Sequence, residues 1–476
     1  MSRHTPGNDD SANKDSGGAR DAGSGNGSED FGSEENKAKA DVETAGGREP
    51  VPPVPAEGQS GDATPEPGGA DRQGDVGRSV LKEIFQGNSL VSILAIVLSL
   101  ILGGLLIAIT NPRVVETSTY FFARPTDMLV AVWEAASGAY VALFKGAIFN
   151  PTASDFQSMI FPLTETLTVA TPLILSALGV ALAFRAGLFN IGAQGQIIIG
   201  ATLAAWVGFS LDLPVGIHLL VVLLAGIVGG ALWGGIPGLL KARTGAHEVI
   251  VTIMLNYIAI YLVGYLLTTA VFQRPGSSNP ISPQLAPSAM FPRLLGDSFR
   301  LHWGFLLAIV ATIFIWWLLN RSTVGFEFRA VGANPHAART AGISVPRGYT
   351  LVMIIAGALA GMAGVAQVSG TEGVLTSGVA ASFGFDAITV ALLGRSTPWG
   401  TFFAGLLFGA FRAGGVAMQT LTGAPIDIVL VVQSLIVLFI AAPPLVRAIF
   451  RIRENGSDGK AKRRTPRKAV KAGGAA

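Results

Sequence analysis

The chain of 476 residues contains no cysteine. That excludes disulfides, a thiol nucleophile and a thiolate metal site. Charge is scarce as well: 14% of the residues are Asp, Glu, Lys or Arg, against about 25% in ordinary soluble domains. There is no Gly-x4-Gly-Lys-Ser/Thr loop, so the usual cradle for ATP phosphates is missing. No Gly-x-Ser-x-Gly elbow and no His-Glu-x-x-His pair occurs either, which leaves an enzyme poorly supported. The five histidines, His4, His218, His247, His302 and His336, show no ligand spacing, so no metal site is expected.

Half of the residues are apolar, and they come in long runs, the mark of a membrane protein rather than of a large soluble core. The net charge of +3 averages two unlike tails. Residues 1–77 are rich in Gly, Asp, Glu, Ser and Pro and hold too little apolar surface to offset chain entropy, so a disordered acidic tail is expected. Such a lead-in makes the first apolar run an anchor and not a cleaved signal peptide. Residues 78–450 form the expected transmembrane domain. Beyond Phe450, residues 451–476 turn basic, with Arg451, Arg453, Lys460, Lys462, Arg463 and Arg464 among them. This reads as a disordered cytosolic segment near anionic membrane lipids and not as a nucleic-acid arm.

Crossing the hydrocarbon core takes about 20 apolar residues. The runs place spans near 90–110, 163–184, 189–210, 214–238, 249–271, 303–320, 348–369, 384–394, 399–418 and 427–449. The expectation is an all-α polytopic protein of about ten transmembrane helices. The fallback is eight plus a re-entrant pair at 384–418, where Arg395, Ser396, Pro398 and Gly400 interrupt the run. Segment 126–148 carries Asp127, Glu134 and Lys145 and reads as an amphipathic helix on the outer surface. With ten alternating spans, Arg78, Lys82, Arg185, Lys241, Arg243, Arg321, Arg329, Arg339, Arg347 and Arg395 fall on one side. The excess of Lys and Arg in cytoplasmic loops then sets both termini in the cytoplasm of a multi-pass cell-membrane protein.

Glycines at four-residue spacing, Gly226, Gly230, Gly234 and Gly238, with Gly357 and Gly361 and with Gly405 and Gly409, form ridges suited to close helix packing. The segment Gly187-Leu-Phe-Asn-Ile-Gly-Ala-Gln-Gly-Gln196 is unusual at a helix entry. Its amides Asn190, Gln194 and Gln196 either hold an irregular helix start or face a translocation route. Thr252, Asn256 and Gln367 are further candidates to hydrogen-bond a polar solute, each with helix–helix contact as the plainer role. Asp386 is an ionisable residue inside a span and so a site candidate, with helix capping as the alternative. Arg412, deeper in the ninth span, is a cation that could snorkel to an interface or pair with an acid. His247-Glu248 reads as a docking patch or as an ordinary helix N-terminal acid.

The polar island Phe328-Arg-Ala-Val-Gly-Ala-Asn-Pro-His-Ala-Ala-Arg-Thr-Ala-Gly342 specifies a short helix: Asn334 as N-cap, Pro335 at the first position, Gly342 at the end. Two turns are too short to be stable alone, so the helix is expected to dock on something.

Taken together, the blocks Ala183–Gln196, Gly245-Ala-His-Glu-Val-Ile-Val-Thr-Ile-Met-Leu-Asn-Tyr257, the 328–342 island and Gly384-Phe-Asp-Ala-Ile-Thr-Val-Ala-Leu-Leu-Gly394 resemble permease subunits of ATP-binding-cassette (ABC) importers for simple sugars and nucleosides, closest to the nucleoside branch. The resemblance covers about residues 88–450. It implies that helix 335–341 is a coupling helix seated in a cytosolic ABC ATPase subunit. In that reading Arg329 and Arg339 meet acidic groups, Gly332 permits a sharp turn and Asn334 holds the helix start. It also implies a second permease subunit, an extracytoplasmic solute-binding protein or lipoprotein, and a nucleoside or sugar as cargo. No cofactor is expected on this chain, since ATP and Mg would sit on the ATPase, and no nucleic acid. The competing readings are an ion-gradient-coupled secondary transporter and a membrane scaffold or receptor. The first asks for acids deep in several spans, and the second leaves the glycine-rich, amide-bearing spans unexplained.

Overall fold

A computed structural model describes residues 88–450. The acidic tail at 1–77 and the basic tail at 451–476 lie outside the described residues. Within them the chain is helical, with two isolated β-bridges, Ile281 with Thr376 and Arg293 with His302. The helices are α1 (Asn88–Thr110), α2 (Pro112–Ser118), α3 (Pro125–Ala147), α4 (Phe156–Arg185), α5 (Ala193–Ser210), α6 (Ile217–Thr244), α7 (Glu248–Leu266), α8 (Gly304–Arg321), α9 (Thr323–Ala333), α10 (Pro335–Thr340), α11 (Val345–Val365), α12 (Phe383–Leu393), α13 (Pro398–Thr422), α14 (Asp427–Ala441) and α15 (Pro443–Ile449).

Helix α4 is the axis of the bundle. It is 30 residues long, buried at every second position from Pro162 and continuously from Ala170 to Ala183, despite prolines at 162 and 172. Pro172 removes a backbone donor, and Thr171 and Ser176 bond back to the carbonyls of Leu167 and Pro172 at 2.8 and 2.6 Å, so the hydroxyls of this buried stretch stay satisfied. The glycine ridges close the second layer. Gly226, Gly230 and Gly234 of α6 lie against Gly357, Gly361 and Met353 of α11 so tightly that a Cβ at Gly230 would overlap the Gly357 carbonyl. Gly179 makes the same kind of approach to Ala356, and Gly409 to Ala170 and Thr166. Close backbone contact of this sort supplies the attraction that apolar burial cannot supply between helices in lipid.

Among the described residues, seven helices are long and apolar enough to cross a membrane. The count is eight when Leu94–Thr110 and Pro112–Ser118, bent by 74°, are taken as one span. The expected ten is therefore not reproduced. The reason lies in α5, α12 and α14. Helix α12 has 11 residues and α14 has 15, both shorter than a crossing. Helix α5 opens on two glutamines within its 18 residues and is not among the seven. Conversely α3, expected to lie on the surface, is long and apolar enough to cross. It packs on its neighbours, with Gly146 against Gly414 and Ala417 of α13 and Gly104 of α1 against Ala136 and Tyr140.

The two ends of the bundle differ. At one end the chain passes through 186–188, 245–247, 322–344 and 394–397; this is called the island end. At the other, the long connection 267–303 is laced down by Ser282 N–H to the Leu375 carbonyl (3.0 Å), Ala286 N–H to Gly208 (2.9 Å) and Phe291 N–H to Ser369 (2.9 Å). Helix α11 ends there in a π-helical turn, Ala366–Glu372.

Candidate functional site

The island forms as two helices. Ser322 caps α9 by accepting from Gly325 N–H at 2.9 Å, and Phe328 and Val331 bury its inner face. Asn334 then caps α10, its Oδ1 accepting from the amides of His336 (2.9 Å) and Ala337 (3.1 Å), with Pro335 at the first position. Gly342 closes it in the left-handed region, φ +82°. Of α10 only Ala338 is buried, against Val331 and Val345, while His336, Ala337, Arg339 and Thr340 are exposed. Gly332 differs from the expected turn. It is helical, and glycine is needed because a Cβ there would run into the backbone of Arg185 and Ala186 at the end of α4. Arg329 is half-buried and its Nη1 has no hydrogen-bond partner among the described residues. Arg185, Arg243, Arg321, Arg347 and Arg395 are exposed at the same end as Arg339.

A feature beside the island is not visible in sequence patterning. Arg395 and Ser396, between α12 and α13, both have positive φ (51° and 50°), a conformation that costs non-glycine residues energy. Arg185 Nε donates to the Ser396 carbonyl at 2.8 Å and holds this turn to the end of α4.

The amides occupy the middle of the bundle. Helix α12 rises about 16 Å over its 11 residues. One end adjoins the turn held by Arg185, so the other, at Phe383, lies roughly half-way along a core about 30 Å thick. Gln194 sits at that interior start, its Nε2 donating to the Ala381 carbonyl (2.6 Å) and its Oε1 accepting from Gly384 N–H (2.9 Å). It is also the second residue of α5, so two helices begin in the interior and one amide joins them. Asn190 and Gln196 bond each other at 3.2 Å in both directions, and Asn190 Oδ1 also takes Gly192 N–H at 3.0 Å. From α7, Asn256 accepts from Gly195 N–H (2.8 Å) and donates to the Ile191 carbonyl (2.9 Å). All four amides are at least nine-tenths buried, and each is engaged by the chain itself. Thr252 bonds back to Glu248 (2.8 Å) and packs on Gly192. This is the geometry of broken helices whose freed backbone groups are satisfied by side chains.

Two expected path residues lie elsewhere. Gln367 is in the π-helical turn, donating to Glu372 Oε1 at 3.1 Å, away from the amides. Asp386 does not cap α12. As the fourth residue of the helix, it points across to α13, where Arg412 Nη1 meets its Oδ2 at 3.1 Å and Ser382 Oγ donates to the same oxygen at 2.8 Å. The Arg412 guanidinium also lies 4.5 Å from the Phe383 ring centroid. His247 is exposed, and Glu248 pairs with Lys241 at 2.8 Å.

The other end holds groups that the sequence did not single out. Arg300 pairs with Glu165 at 3.1 Å. His302 is buried and stacked on Phe291 (5.6 Å between ring centroids), with Nδ1 accepting from Gly304 N–H; burial and the nearby Arg300 charge push its pKa down to about 4. A cavity of about 230 Å³ opens between Thr110–Arg113, Glu134 and Thr422–Pro425, remote from the amides. No cluster of three or more metal-ligating side chains occurs among the described residues.

The sequence pattern of the family described as "Branched-chain amino acid transport system / permease component" matches residues 163–441. The chain belongs to this permease family. A guanosine ABC transporter permease protein, NupP of Bacillus subtilis, is 40% identical over 70% of this chain and 93% of its own length. A glucose ABC transporter permease protein, TsgB13 of Haloferax volcanii, is 37% identical over 69% and 90%. A nucleoside ABC transporter permease protein, NupB of Lactococcus lactis, is 37% identical over 60% and 80%. No solved structure matches the chain. This family member is thus the permease subunit of an ABC importer, a multi-pass membrane protein and a transport component, not an enzyme. Such permeases work with an ATPase, a second permease and a binding protein.

Proposed function

We propose that this permease imports a nucleoside or a simple sugar delivered by an extracytoplasmic binding protein, and that α10 is its joint to the cytosolic ATPase. The observation that carries the reading is the exposure of α10. A six-residue helix, fixed by its caps and one buried alanine, presents its remaining side chains outward beside a group of exposed arginines. A helix so short gains little by itself, and its capping is explained by a docking partner. Arg339, and Arg329 with its unpartnered Nη1, are the cations offered to acidic groups of that ATPase. With the island end in the cytoplasm, both termini lie there, the 1–77 tail is a cytosolic extension and the 451–476 tail lies near anionic lipid. The names of the relatives, for guanosine, nucleosides and glucose, support the cargo class.

An ion-gradient mechanism finds less support. Such a mechanism asks for acids deep in several spans, and Asp386, Glu248 and Glu165 are each paired with a cation of the same chain. The two mechanisms separate in proteoliposomes holding the permease with its ATPase, second permease and binding protein. Uptake of guanosine or glucose is expected only with ATP, and uptake that follows an imposed proton gradient without ATP would refute this reading.

A further inference from the structure

Helix α7 is built unlike its neighbours. It buries one stripe, Thr252, Asn256, Ala259 and Val263, against the rest of the bundle. Its opposite face is bare and carries Tyr257, Tyr261 and Tyr265, exposed by 54, 73 and 68%, interleaved with Ile250, Met254 and Ile258. The bare face of α6 shows what lipid contact looks like in the same molecule: Leu220, Leu224, Val228, Leu232 and Ile236, with no polar atom among the side chains. Helix α1 repeats that pattern with Val97, Ile101, Leu105 and Ile109.

Tyr257 and Tyr261 do not fit hydrocarbon, while Tyr265 stands at the rim. Tyr257 stands nine residues into α7, about 14 Å from its start and near mid-depth, and the other two follow at steps of about 6 Å toward the far end. A tyrosine at the rim of a bilayer reaches water with its hydroxyl, but one at mid-depth strands it. Among the described residues none of the three hydroxyls has a hydrogen-bond partner. There is also room beside the row, since a Cβ on Gly264 would meet nothing within 4 Å. Flat rings with a polar edge, set in a row and open to the side, match a polar solute that presents a ring face of its own.

We propose that the tyrosine face of α7 lines an aqueous path, and that Tyr257, Tyr261 and Tyr265 stack in turn on the ring of the cargo, the planar face of a nucleobase or the C–H face of a pyranose. This rests on the import reading above and adds to it the residues that would contact the solute. Stacking suits passage because each contact is modest and tolerant of position.

The absence of cysteine makes the test direct. Single variants Tyr257→Cys, Tyr261→Cys and Tyr265→Cys are compared with Leu224→Cys and Leu232→Cys of α6, in the assembled complex in proteoliposomes. The probe is a charged, membrane-impermeant methanethiosulfonate, which needs a hydrated thiolate. The α7 cysteines are expected to label at least about 10-fold faster than the α6 pair. Guanosine or glucose should slow that labelling, and whichever of the two does so identifies the ring. Equal rates on α6 and α7, or α7 labelling that neither solute slows, would overturn the proposal. Tyr261→Leu supplies the second readout: uptake is expected to fall roughly 10-fold in an intact complex. Unchanged uptake would return this face to lipid, and dissociation of the complex would assign it to a subunit contact. Labelling needs no ATP, so its result is separable from a failure of ATP-driven uptake, which would sink the import reading alone.

Discussion

The amides at mid-bundle and the island at 328–342 are both polar stretches set among apolar spans, and they face opposite ways. Asn190, Gln194, Gln196 and Asn256 turn inward and complete one another. The island turns outward: its caps satisfy the helix ends, and nearly everything else on α10 is left to solvent or a partner. Polar residues in a membrane protein therefore have two uses, and the hydrogen-bond inventory tells them apart. A closed inventory marks a part that holds the fold, and an open one marks a part offered to another molecule.

The largest expected effect tests the closed half. Gln194→Leu leaves the Ala381 carbonyl and the Gly384 amide unpaired in the interior, a loss of about 3 kcal/mol. The thermal midpoint of the detergent-solubilised permease should fall clearly. Should uptake vanish while the midpoint stays put, the amides belong to the path and the contrast collapses. Gly332→Ala comes next, at about 2 kcal/mol, because its Cβ pushes α9 away from Arg185 and Ala186. It should weaken ATPase co-purification as well as stability, since it shifts the base on which α10 stands. The smallest is Asn334→Ala, about 1 kcal/mol confined to α10. Here the bundle midpoint should not move, while ATP-driven uptake drops several-fold with binding-protein affinity for solute unchanged. Full uptake in this variant would remove α10 from the coupling path.

Much of this was legible in the sequence because the signals are local. The Asn334 cap, Pro335 and the terminating Gly342 lie within nine residues, and the structure forms the helix they specify. The glycine ridges follow from a period of four. What the sequence could not display depends on contacts between distant segments. Gly332 was assigned a turn because glycine often serves one, whereas the reason lies in the backbone of Arg185, far away in the chain. The ten-span expectation treated each apolar run as a full crossing. Helices α5 and α12 instead begin inside, which only the pairing through Gln194 reveals. The tyrosines of α7 were passed over because one such residue every fourth position looks ordinary until the bare faces of α6 and α1 are seen to be purely aliphatic.

The link from Gln194 to α12 also sets an order of events during synthesis. Gln194 precedes Gly384 by 190 residues. At about 5–20 residues per second, roughly ten to forty seconds pass between making the one and making the other. Throughout that interval α5 is present without the carbonyl and amide that complete its entrance. Another donor and acceptor, from water, the translocation machinery or a neighbouring segment, must stand in until α12 arrives. The entrance of α5 is thus completed late, and a chain truncated before residue 381 lacks the partners of Gln194 that finish it.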